Sequence, residues 1–151
     1  MMNINELKKL INNKSRLIGV DMGSKRVGLS ISDENRKIAT PLKTINYKNV
    51  QMLIFEINEI VNENNINGVI IGNPINMDGS ESQSSQSAKD MAINLSKNIS
   101  EPITMWDERL SSHGAFNLIS NLDINTSKKL KKLDQNAASF ILQGALDYLK
   151  K

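Results

Sequence analysis

Cysteine is absent from the 151 residues, and histidine occurs once, as His113. The first absence excludes a disulfide framework and any thiolate metal centre. Nothing near His113 has metal-ligand spacing, so it reads as a helix-surface residue. No apolar run approaches a membrane span and the first residues hold no signal-like apolar core, so the chain is expected in the cytoplasm with no membrane partner. Walker-type glycine loops, dinucleotide fingerprints and internal repeats are also missing. What is present is 39% apolar content, enough for one compact domain over residues 1–151, and a formal charge of +3, which permits a polyanionic partner without requiring one.

The chain is organised around the stretch from Arg16 to Asp33. Leu17 to Val20 is apolar and delivers one carboxylate, Asp21; Gly23 permits a tight turn, and Val27, Leu29 and Ile31 resume with period two. This pattern predicts a β-hairpin carrying a buried acid. A carboxylate on a core strand must be protonated, paired or bound to a metal. The plainer reading is an Asp that accepts the turn amides of Gly23 and Ser24, and the stretch alone does not separate the two. Opposite the apolar set, Gly28, Ser30 and Ser32 either let another backbone approach or leave that face partly open.

Ile4, Leu7, Leu10 and Ile11 predict a short helix over residues 3–13, and residues 37–45 a third antiparallel strand, at the sheet edge because it contains Pro41. Val50 to Val61 has helical spacing and ends at Asn64 and Asn65; Gly68 to Gly72 is a continuous apolar run, as for a strand covered on both faces and reached by a parallel crossover. Residues 73–87, polar and rich in serine, read as a long loop of the kind that handles ligands at strand ends, or as a solvated linker. A helix from about Ser84 to Asn98 and a strand Ile103 to Trp106 follow; the strand ends in Asp107, Glu108 and Arg109, where an open sheet presents its carboxyl edge. Ser111 or Ser112 caps a helix carrying Ala115, Phe116, Ile119 and Leu122. Lys128, Lys129, Lys131 and Lys132 then precede Leu133 and Asp134, and the last helix buries Ala137, Ala138, Ile141, Leu142, Ala145, Leu146 and Leu149. Taken alone, Asp134 is best explained as that helix's N-cap, worth about 1 kcal/mol.

Taken together, Asp21, the acids at the end of the later strand and Asp134 can converge at one sheet edge. Three carboxylates there are what a pair of Mg²⁺ or Mn²⁺ ions requires, since hard cations take oxygen ligands and stabilise both oxygens of a phosphodiester cleavage. The four lysines either neutralise backbone phosphates or form a solvated face.

Four segments, I-G-V-D-M-G-S-K-R-V-G-L-S-I-S-D, G-N-P-I-N-M-D-G-S-E, W-D-E-R-L-S-S and L-D-Q-N-A-A-S-F-I-L-Q, resemble in order the motifs of the YqgF/RuvX family over residues 16–149. Its members are described as Holliday junction resolvases and, in bacteria, as pre-16S rRNA nucleases. The resemblance implies an RNase H-like α/β fold, a mixed five-stranded sheet flanked by helices, and metal-dependent hydrolysis of phosphodiester bonds in ribosome biogenesis. It places the catalytic acids at Asp21, Asp107, Glu108 and Asp134, with Asp21, Glu108 and Asp134 as the ligands of Mg²⁺ or Mn²⁺. Adjacent strand residues face opposite ways, so one of Asp107 and Glu108 reaches the metals, and Glu108 is the favoured one. Lys25, Arg26 and Arg109 are implied phosphate contacts, and Asn76, Asp78 and Gly79 shape a loop facing the substrate. One departure from the family's usual G-L-P is Gly72, Asn73, Pro74, which puts the local packing in question.

The implied partner is nucleic acid, as structured RNA, precursor rRNA or branched DNA, bound by a monomer or weak homodimer. Two other classes compete. D-x-G-[ST] before a hairpin also resembles the phosphate loop of sugar kinases and actin-like ATPases, though those enzymes close two lobes over a nucleotide. A non-catalytic module binding nucleic acid or a partner protein would use the same acids only for caps and turns.

Overall fold

A computed structural model of the protein describes residues 2–11, 14–23, 25–76, 78–110 and 126–150, with the backbone alone over residues 126–135. Ser24, Ser111, Ser112, His113 and the helix expected at Ala115 to Leu122 lie outside the described residues, as do the side chains of Lys128, Lys129, Lys131, Lys132 and Asp134.

Helix α1 (Ile4–Leu10) starts where Asn3 accepts the Glu6 amide at 2.9 Å. It leads into β1 (Arg16–Met22), which turns back through β2 (Arg26–Ser32) to β3 (Ala39–Asn46). Helix α2 (Val50–Glu63) opens on an Asn49 cap and stops at Asn64; Asn65 then takes the left-handed conformation, φ 54°, that asparagine tolerates. Strand β4 (Ile66–Asn73), helix α3 (Gln83–Asn98), β5 (Ile103–Asp107), a 3₁₀ turn over Glu108–Leu110 and helix α4 (Thr126–Leu149) complete the described elements.

The sheet has the order β3-β2-β1-β4-β5. Strands β1, β2 and β3 pair antiparallel, while β1/β4 and β4/β5 pair parallel. The expected mixed five-stranded sheet flanked by helices is therefore present, with β1 in the centre and the Pro41 strand at the edge. One face packs Ile18, Val20, Leu29, Val69 and Ile71 under α2 and α3. The other sets Leu17, Ile70 and Trp106 under α1 and α4.

Period two sorts the strand residues between these faces. Leu17 lies on the α4 side while Ile18 and Val20 lie on the other, so Gly19 and Asp21 belong to the α4 side. There the choice left open at Gly28, Ser30 and Ser32 resolves to close packing. The Ser30 hydroxyl donates to the Ala138 carbonyl at 2.7 Å. A Cβ on Gly19 would lie 2.8 Å from Leu142 Cβ and 2.9 Å from the Ala138 carbonyl oxygen, so only glycine lets α4 sit this low.

Two boundaries differ from the sequence reading. The loop after β4 is shorter than residues 73–87, because Ser82 caps α3 by accepting the Ser85 amide at 3.1 Å and the helix starts at Gln83. More consequentially, α4 begins at Thr126, so Asp134 stands inside a helix and is not its N-cap. The lysines ahead of it are good helix formers, and Leu130 and Leu133 carry the spacing of Ala137 and Ile141 back through them, so the helix continues to Thr126.

Candidate active site

Asp21 lies one residue from the end of β1, where burial fades from complete at Leu17 to Val20 to partial at Asp21 and Met22. The acid is thus half-buried, not enclosed in the core as the hairpin pattern implied, because it sits at the strand's carboxyl edge. The Gly23 amide that the plainer reading assigned to Asp21 donates instead to the Arg26 carbonyl, at 2.8 Å, and closes the turn. Gly28 is Asp21's register partner, and a Cβ there would come within 3.8 Å of Asp21 Cβ and 3.6 Å of Ala138 Cβ. The missing side chain lets Ala138 of α4 come close beside Asp21.

Glu108 reaches the same edge from β5. Its Cγ and Cδ both lie 3.2 Å from where a Cβ on Gly72 would be, and Ile141 Cδ1 of α4 lies 2.6 Å from that point. Glycine at the end of β4 therefore makes the hollow into which this carboxyl folds. Burial first, then the charges of Asp21 and Asp107, push the Glu108 carboxyl up to about 7. Two neighbouring half-buried carboxyls at a strand edge are hard oxygen donors of the kind a divalent cation takes.

Asp107 turns away from this pair. Its carboxylate accepts Arg109 Nε at 3.0 Å on both oxygens, Arg109 Nη2 at 2.6 Å and the Arg109 amide at 3.0 Å. The Arg109 hydrogen bond holds Asp107 below the usual carboxylate range against the opposing effect of burial. Arg109, expected at a phosphate, is thus occupied by its neighbour two residues back.

Residue 134 enters through the path of α4. Leu142 packs over Gly19, while Ala138 reaches both Gly19 and Gly28, so the helix read backwards runs along β1 towards Asp21. Position 134 is one turn, about 6 Å, further in that direction. Among the described residues no group of three or more His, Cys, Asp and Glu is placed to hold a metal. The described part of the site is the Asp21–Glu108 pair.

Of the other predicted residues with described side chains, Lys25 and Arg26 follow the carboxyl end of β1, and Asn76, Asp78 and Gly79 follow that of β4. Lys25 and Arg26 are exposed at the hairpin tip, which Tyr47 braces through its hydroxyl to the Gly23 carbonyl (3.2 Å) and its amide to the Lys25 carbonyl (3.4 Å). Asn76, Asp78 and Gly79 form an exposed turn: the Gly79 amide donates to the Asn76 carbonyl at 2.8 Å, and Asp78 accepts the Ser80 hydroxyl at 2.6 Å. That Ser80 bond lowers Asp78 most, and the Arg109 charge adds to it. Gly79 has φ +89°, a conformation reserved for glycine. The departure at Asn73 is also accounted for, because its buried Oδ1 accepts the Ser85 hydroxyl at 2.6 Å. Sequence reasoning missed Gly19, Tyr47 and Ser85, and named Ser30 only as one of the small residues of β2 that could admit another backbone.

A family model described as "RuvX: Holliday junction resolvase" matches residues 15–148. A "Putative pre-16S rRNA nuclease" of Pelagibacter ubique is 57% identical over 149 residues, covering 99% of each chain. One of the same description from Rhodobacter capsulatus is 43% identical over 133 residues, 88% of this chain and 84% of that one. Among solved structures, T. thermophilus RuvC in complex with a Holliday junction substrate superposes with a TM-score of 0.56 at 11% identity, covering 89% of this chain and 94% of that chain, a likeness of fold. With the RNase H-like sheet and four motifs in place, the chain belongs to the RuvX family.

Proposed function

We propose that this protein is a nuclease that hydrolyses phosphodiester bonds with Mg²⁺ or Mn²⁺ and processes the 5′ end of precursor 16S rRNA. The observation that carries the reading is the meeting of Asp21, near the end of β1, and Glu108, just beyond β5 and far from it in the chain, over the glycines that make room for them. The substrate comes from the relatives' description as pre-16S rRNA nucleases.

In this reading Asp21, Glu108 and Asp134 would together hold a pair of Mg²⁺ or Mn²⁺ ions, Asp134 from α4. When bound, the pair would supply Lewis-acid stabilisation of the attacking and leaving oxygens of the scissile phosphate. Lys25 and Arg26 at the hairpin tip, with Lys128, Lys129, Lys131 and Lys132 along the start of α4, meet backbone phosphates. Asn76, Asp78 and Gly79 hold the loop that borders the substrate. A trimmer of one strand works as a monomer or weak homodimer, whereas cutting both strands of a junction requires a twofold dimer.

The test is a Mn²⁺ titration of the full chain with a short RNA spanning a precursor 5′ end, with a four-way DNA junction in parallel and solution mass measured alongside. Asp21→Asn is expected to abolish cleavage of the RNA while leaving the fold and most RNA binding intact. Full activity in that variant refutes the assignment. Cleavage of the junction alone moves the function to resolution, and binding without cleavage under any metal makes the protein a non-catalytic module.

A further inference from the structure

We infer that Asp107 is a positioning residue: it latches Arg109 against the tip of the 74–82 loop and so sets that loop relative to the Asp21–Glu108 pair, instead of joining the pair as a ligand. The alternation of β5 begins the argument. Trp106 packs on the α4 side and Met105 on the α2/α3 side, so Asp107 leaves the strand away from α4. Its register partner Asn73 points the same way, to Ser85 of α3. Glu108 folds back over Gly72 beside Ile141. The two neighbouring acids therefore serve opposite faces.

Both oxygens of Asp107 are engaged by Arg109, three times through the guanidinium and once through the amide. Such a fork fixes the plane of the guanidinium as well as its position. The unforked end then points at the loop: Nη1 lies 3.6 Å from where a Cβ on Gly79 would be, and Asp78 lies close enough for its charge and that of Arg109 to stabilise each other. The tip itself is closed by its own bonds, Asn76 to Ser80 and Asp78 to Ser80. Arg109 carries this preformed turn against the end of β5. Paired with one acid and flanked by another, it has little net charge to offer a phosphate directly, so its effect on substrate passes through loop placement. That last step rests on the nuclease reading above; the latch does not.

The experiment compares Asp107→Asn, Asp107→Glu and Arg109→Lys with Asp21→Asn in the full chain. It measures Mn²⁺ affinity by electron paramagnetic resonance, amide exchange over residues 74–82, and KM and kcat on the precursor RNA. Asp107→Asn is expected to keep its Mn²⁺ affinity, to exchange the loop amides about tenfold faster while other amides stay protected, and to raise KM about tenfold with kcat nearly unchanged. Arg109→Lys should reproduce this, because an ammonium cannot make the fork, and Asp107→Glu should restore part of it. Loss of Mn²⁺ binding in Asp107→Asn, matching Asp21→Asn, would make Asp107 a ligand and overturn the inference. Unchanged loop exchange in both Asp107→Asn and Arg109→Lys would overturn it too. If Asp21→Asn cleaves normally but the exchange result holds, the nuclease reading fails and the latch stands.

Discussion

The two faces of the sheet are built on opposite rules. Under α2 and α3 the strands present Ile18, Val20, Val27, Leu29, Val69 and Ile71, large side chains that fill the space between sheet and helices. Under α4 the central positions are Gly19, Gly28, Ser30 and Gly72, and the helix comes down until the Ala138 carbonyl accepts a strand hydroxyl. The first face gains stability from apolar area; the second gives up area to bring α4 close to the acids. Asp21 and Glu108 both lie on the second face.

Substitutions should therefore separate the faces. The largest stability loss is expected from Ile57→Ala, which empties a fully buried position of α2. It should cost about 2–5 kcal/mol in urea or thermal unfolding while leaving kcat of the folded protein unchanged. A smaller loss with a larger functional penalty is expected at Gly19→Ala. Its new methyl meets Ser30 Oγ at 2.4 Å, Leu142 Cβ at 2.8 Å and the Ala138 carbonyl oxygen at 2.9 Å. Overpacking of this kind costs about 1–3 kcal/mol. It also lifts α4, and a displacement near 1 Å at a site can cost about 100-fold in rate. On the proposed nuclease reading, RNA cleavage by Gly19→Ala as fast as by the parent would mean that closeness of α4 is not what the glycine provides.

Next in size, and opposite in sign, is Glu108→Gln in metal-free protein. The folded carboxyl sits at about 7, above its ordinary 4.5, because of burial and the charges of Asp21 and Asp107. A raised acid contributes stability below its unfolded pKa and loses it as pH climbs through the folded one. The metal-free parent should thus weaken between about pH 4.5 and 7. The glutamine variant, which carries no charge, should be more stable by roughly 1–2 kcal/mol at pH 8, and the gap should close near pH 4.5. Calorimetry in chelator across that range checks it; a constant gap would mean that packing, not charge, separates the two proteins.

Much of this contrast was legible in the sequence, and unevenly so. Alternation at Val27, Leu29 and Ile31, the apolar run to Gly72, the asparagines after α2 and Pro41 at the edge each act through local geometry, and the elements formed where those rules place them. Glu108 lies in the 3₁₀ turn beyond β5, but that Asp107 leaves the strand away from α4 also follows from strand alternation. The close approach of α4 did not, because Gly28, Ser30 and Ser32 state that room exists without stating what fills it, and Ala138 is 108 residues from Ser30. The start of α4 was misjudged for a related reason. Leu130 and Leu133 keep the spacing of Ala137 and Ile141, but the four lysines around them read as a polar lead-in, while the helix starts at Thr126. Asp134 looked like a cap because it stands between that charged stretch and the dense apolar run.

The smallest expected effect bears most directly on how the α4 face is held. Ser30→Ala removes a buried hydroxyl that donates to the Ala138 carbonyl, which as a helix carbonyl still has its Leu142 amide, so the cost should be about 1 kcal/mol. Gly19 and Ser30 are register partners, and the shortest clash of a residue-19 methyl is with the Ser30 oxygen. Ser30→Ala removes both that clash and the bond that draws the helix down. The double variant with Gly19→Ala should therefore be less destabilised than the sum of the two singles, by about 0.5 kcal/mol or more in an unfolding cycle. Strict additivity would mean that the Leu142 and Ala138 contacts alone set the cost at Gly19, and that the serine bond follows the approach of α4 instead of helping to fix it.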